Sequence, residues 1–190
     1  MKHLLNIFFF FRSFTGIIIY WGLILGAGVE TDTAALTALS FVLFYSLVAM
    51  AADRIVSLDF GLAIFFFVGY LLCVFLPEWS LKYLIERFTT FLYLSLFITS
   101  YVPFVFGIQP FTVIIAKRIT PPEIWETREF NTITRIMALV WCALFLTACL
   151  VSLRQGFITQ MIIPIGIMLF IGFPFNRYFR DFYLKVKGIS

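Results

Sequence analysis

Residues 133–153 read ITRIMALVWCALFLTACLVSL, and this stretch decides the fold. Arg135 is its only charge, and about 20 apolar residues in a helix are what a bilayer's hydrocarbon core requires. The polar groups here are not scattered. At helical spacing Asn131, Arg135, Ala138, Cys142 and Cys149 fall in one narrow sector, with Thr127 and Thr134 beside it. Small and polar groups on one face of a lipid-embedded helix are expected to point into protein.

The chain around this stretch is built the same way. Of its 190 residues 62% are hydrophobic and 13% charged, where a soluble domain carries about 25% charged residues. A single core of this size has too little interior to hide so much apolar surface. Hydropathy predicts an all-α, polytopic integral membrane protein with about six transmembrane helices. The expected spans are 13–28, 34–52, 58–76, 88–107, 133–153 and 158–175, in one transmembrane domain covering 1–190. Lys2 before an apolar run ending in Leu25-Gly26-Ala27-Gly28 has the outline of a leader peptide. Arg12 interrupts that run, so an uncleaved anchor helix is expected. Pro103 is placed to kink or end the fourth span, and Pro164 lies inside the sixth.

The basic residues set the orientation. With the N-terminus inside, the cytoplasmic parts carry Lys2, Arg12, Arg54, Lys117, Arg118, Arg128, Arg135, Arg177, Arg180, Lys185 and Lys187. The outer loops carry only Lys82, Arg87 and Arg154. This asymmetry predicts a multi-pass protein of the inner (plasma) membrane with both termini cytoplasmic. It also accounts for the net charge of +4 without nucleic acid as a partner.

Amphipathic segments frame the spans on the cytoplasmic side. The tail 175–187 puts Phe175, Tyr178, Phe179, Phe182 and Val186 opposite Arg177, Arg180, Asp181 and Lys187, which predicts an interfacial helix. The loop 108–132 is long enough to carry structure of its own. Thr120-Pro121-Pro122-Glu123 has the pattern of a capped helix start, with Thr120 as N-cap. Trp125 after it suits the headgroup layer.

The candidate contacts follow from these placements. Arg135, one turn inside the membrane boundary, needs an acid or an anionic group near it. Asp53 is the candidate partner for a structural ion pair with Arg135. Asn131, Arg135, Lys117 and Arg118 are the candidate contacts for an anionic ligand or lipid. Glu123, Glu126 and Glu129 recur at helical spacing with Arg128 among them, and read as a solvated face. The pairs Gly22/Gly26 and Ala34/Ala38 allow close helix approach, inside this protein or against another subunit.

Chemistry-bearing patterns are sparse. His3 is the only histidine, and no nucleophile–base pairing, metalloprotease helix or phosphate loop occurs. No catalytic residue, resident metal or cofactor is expected, and Cys73, Cys142 and Cys149 read as buried free thiols.

Pro110, Lys117-Arg118, Pro122-Glu123-Ile124-Trp125 and Trp141 together resemble the inner-membrane septation protein A family, over Pro110 to Phe145, about a fifth of the chain. The resemblance implies a role in maintaining the cell envelope through contacts with other membrane proteins. Two functions stay open. One is a non-catalytic scaffold or accessory subunit of a membrane complex, with lipids and other membrane subunits or its own copies as partners. The other is a small transporter or lipid- or small-molecule-binding membrane component.

Overall fold

The structure is a computed structural model that describes residues 16–24, 26–51, 57–76, 78–118, 120–154, 156 and 158–186. These residues are helices joined by turns, without strands. The first helix, α1, is helical at 16–24 and 26–27. It is followed by α2 (Thr31–Ala51), α3 (Ser57–Phe75) and α4 (Glu78–Val105). Next come the short α5 (Phe111–Lys117), α6 (Arg128–Ser152), α7 (Ile163–Ile167) and α8 (Phe173–Val186). Five stretches are long and apolar enough to cross a membrane: Thr33–Ala51, Leu58–Phe75, Arg87–Val105, Arg128–Ser152 and Ile158–Phe179. The first expected span, 13–28, runs partly outside the described residues, and its described part is helical up to Gly28, where φ is 62°.

Two boundaries moved for physical reasons. α4 starts well before the expected 88, directly after Pro77. Residues 78–86 carry three charges and precede the apolar window Arg87–Val105, so hydropathy alone does not register this part of the helix. α6 starts at Arg128 rather than 133, because Thr127 caps it, its side chain accepting from the Phe130 amide. Pro103 sits in the last turn of α4. The chain then stops on Gly107, whose φ of 69° is open to glycine at little cost. The Ile108 amide returns to the Pro103 carbonyl at 2.8 Å, closing a Schellman-type end.

The chain divides into two compact units, residues up to Glu86 and from Arg87 onward. In the first, α2 and α3 pack along each other. Ala34 and Ala38 are wholly buried, so the small pair on the second span works inside the unit. Tyr20 of α1 reaches Phe66 of α3 with ring centroids 6.0 Å apart. Gly22 and Gly26 behave differently: both are exposed, and a Cβ built on either meets nothing within 4 Å.

In the second unit α6 is central, with half of its span buried against 18% for Ile158–Phe179. The helical path from Ile158 to Val186 runs antiparallel to α6. At its middle Gly172 packs on Trp141, where a Cβ would lie 2.9 Å from the indole and 3.0 Å from Leu144. Trp141 Nε1 also donates to Asn176 Oδ1 at 3.0 Å. Pro164 supplies no amide, and the path carries π-helical turns at Ile158–Ile162 and Met168–Gly172 on either side of α7. The tail 175–187 is helical through Val186 and amphipathic. It continues the last span without a break. Phe175, Phe179 and Tyr183 form a row of ring contacts, while Tyr178 and Phe182 stay exposed.

Candidate functional site

α6 has one face and two environments. From Ala138 through Cys142 to Cys149 the small-residue sector is buried. At its N-terminal end the same sector opens, and Asn131 and Arg135 line a cleft of about 730 Å³. The helix thus points this face into protein over most of its length and into an accessible space at one end.

α5 forms the facing wall, and it is pinned there. Phe111 and Thr112 are buried, and Thr112 Oγ1 donates to the Thr134 carbonyl at 2.9 Å. That bond fixes α5 one residue before Arg135. Val113 and Lys117, one turn apart on α5, then face the cleft. Arg118 does not line it, and ends α5 as its C-cap.

The third wall is the turn between α5 and α6. The expected helix start at Thr120 is absent. Pro121 precedes a second proline, which holds its ψ at 146°, extended rather than helical. Only a single 3₁₀ turn forms, at Pro122–Ile124. Thr120 instead donates to the Ala116 carbonyl at 2.8 Å. Trp125 folds back so that Nε1 lies 3.2 Å from both Thr120 oxygens. Its ring sits under the Lys117 ammonium, 5.2 Å from centroid to Nζ. Fold-back brings Glu123 and Glu126 to the cleft, while Glu129 stays off it. Glu123 and Glu126 are exposed, as the solvated reading expects, but they sit on this turn and line the cleft instead of lying along a helix face. Phe104 and Ile108 from the end of α4 supply an apolar rim.

Arg135, Lys117, Glu123 and Glu126 make no ion pair among the described residues. Asn131 donates to the Thr127 carbonyl at 3.0 Å, which holds its amide at the cap of α6. The expected pairing of Arg135 with Asp53 lies outside the described residues. Among the described residues no group of three His, Cys, Asp or Glu side chains is placed to hold a metal ion.

The opposite end of α6 is closed. Thr90 Oγ1 donates to the Ser152 carbonyl at 3.0 Å, and Ser152 Oγ lies 3.0 Å from Thr90 Oγ1 and 2.8 Å from the Cys149 carbonyl. Arg87 Nη1 donates to the Leu153 carbonyl at 2.7 Å, meeting one of the carbonyls a helix end leaves over. Read from the sequence, Arg87 falls in an outer loop, and Thr90 and Ser152 take no role.

No protein-family model matches the chain, and no curated protein or solved structure matches it either.

Proposed function

We propose that this chain is a non-catalytic, multi-pass membrane protein that binds the headgroup of an amphiphile in the Arg135 cleft. One observation carries the reading: Arg135, Asn131 and Lys117 meet in one cleft at the end of the second unit where its apolar helices give way to basic segments. The expected span 13–28 is the sixth crossing of this reading. The charge distribution supports a cytoplasmic cleft. In the second unit Lys117, Arg118, Arg128, Arg135, Arg177 and Lys185 gather at the cleft end, and only Arg87 and Arg154 lie at the other, among the described residues. In this reading the cleft faces the cytoplasm from the plasma membrane, in line with the expected orientation with both termini cytoplasmic. Arg135 at the polar boundary suits a phosphate, for which its guanidinium offers two parallel donors.

A second reading is a scaffold or accessory subunit of a cell-envelope complex, in line with the septation protein A resemblance. Gly22 and Gly26 favour it, since their exposed faces leave room for a neighbouring helix.

The test is lipid retention. The full chain, prepared from alkali-washed membranes in mild detergent, is expected to carry phospholipid, measured as organic phosphate per chain. Arg135→Gln combined with Lys117→Gln should lower that phosphate. Equal phosphate in both proteins sinks the cleft reading, and release of the chain by the alkaline wash sinks the membrane reading.

A further inference from the structure

Two kinds of charge share the cleft and leave each other alone. Lys117 lines it from α5 and Arg135 from α6, while Glu123 and Glu126 line it from the turn between them. A site shaped for a simple anion gains nothing from two carboxylates, which repel a phosphate through the same space. A site shaped for a cation gains nothing from the guanidinium. None of the four pairs with another among the described residues, so all four remain available to a ligand.

What answers both signs is a ligand carrying both. We propose that the cleft takes a zwitterionic aminophospholipid headgroup of the phosphatidylethanolamine type. Its phosphodiester lies at Arg135 and Lys117, and its primary ammonium lies at Glu123 and Glu126. The inference rests on the cleft being a headgroup site and adds which headgroup. The volume of about 730 Å³ falls within the range of small-molecule sites, roughly 300–1,000 Å³. The exposed Ile108 and the neighbouring Phe104 give the acyl chains an apolar way out.

The geometry also selects against choline. A quaternary ammonium donates no hydrogen bond to a carboxylate and is best held by open aromatic faces. The Trp125 ring already carries the Lys117 ammonium. A primary ammonium has three donors and uses the carboxylates instead.

The experiment is competitive lipid binding to the full chain in detergent, read by native mass spectrometry. Phosphatidylethanolamine, phosphatidylglycerol and phosphatidylcholine of the same acyl chains are titrated together, with soluble glycerophosphoethanolamine as a separate arm. The wild type is expected to prefer phosphatidylethanolamine over each of the others by on the order of tenfold, the worth of one charge-assisted hydrogen bond. Glu123→Gln with Glu126→Gln should abolish that preference while lipid still binds, and Arg135→Gln should weaken all three lipids. The substituted residues are exposed, so packing stays intact. Competition by the soluble headgroup without bound lipid overturns the lipid assignment. Equal or better binding of phosphatidylglycerol by the wild type overturns the proposal, as does a headgroup preference unchanged by the glutamate substitutions. Those two results leave the headgroup site itself standing. Lipid binding unaffected by Arg135→Gln removes the site and the proposal together.

Discussion

The two ends of α6 hold polar groups in opposite ways. At Ser152 the Thr90 and Ser152 hydroxyls and Arg87 Nη1 find partners within the second unit, and Thr90 and Ser152 are buried, while the adjacent Thr89 Oγ1 is buried without a hydrogen bond among the described residues. At Arg135 two cations and two carboxylates line a cleft without pairing among the described residues. A buried polar group left unmatched costs about 1–3 kcal/mol, so a closed end can tolerate few loose ones. A cleft open to its surroundings carries no such penalty, and its unpaired groups remain available to a ligand. The difference separates polar residues that hold the fold from those that face outward.

Three substitutions test this division. The largest effect is expected at the closed end. Ser152 is fully buried, and Ser152→Leu should cost about 3 kcal/mol, the upper end for overpacking a filled site. A lowered thermal midpoint in detergent checks it, and an unchanged midpoint would mean that this end is not packed as described. Thr90→Val keeps the shape and removes the hydroxyl between α4 and Ser152. Buried hydrogen bonds between membrane helices average about 0.6 kcal/mol, with an upper value of about 1.7. A loss of about 1 kcal/mol in the same assay is expected, and a gain in stability would show the pair to be dispensable. The smallest effect belongs to the cleft. Arg135→Gln should change stability by no more than about 0.5 kcal/mol, as for most exposed positions, while lipid retention falls. A midpoint shift as large as that of Ser152→Leu would place Arg135 among the residues that hold the fold.

Much of this division could be read from the sequence. Apolar length gives α2, α3 and α6, because lipid-facing helices need little beyond composition and extent. Periodicity places Asn131 and Arg135 on the face that Ala138, Cys142 and Cys149 bury. The charge pattern predicts Lys117 beside them, and the same reasoning adds Arg118, which does not line the cleft. The turn was harder. The Thr-Pro-Pro-Glu pattern resembles a helix start, and only the effect of the second proline on the first denies it. That one backbone angle separates an acidic helix from a turn that carries Glu123 and Glu126 along the cleft. The closed end was opaque for another reason: Thr90 and Ser152 lie far apart in sequence on different helices, and no periodicity links them.

The uninterrupted path from Ile158 to Val186 has a mechanical consequence. About 29 residues at a rise of 1.5 Å make a rod of about 43 Å, longer than the roughly 30 Å hydrocarbon core. With no loop to absorb torque, a twist applied near Lys185 turns Asn176 and Gly172 against Trp141, and so loads α6 itself. The tail is a handle attached through Asn176 and Trp141 to the helix that carries Arg135. A bulky domain joined to it through a stiff helical linker would press on that seam, whereas a glycine- and serine-rich linker would leave it at rest.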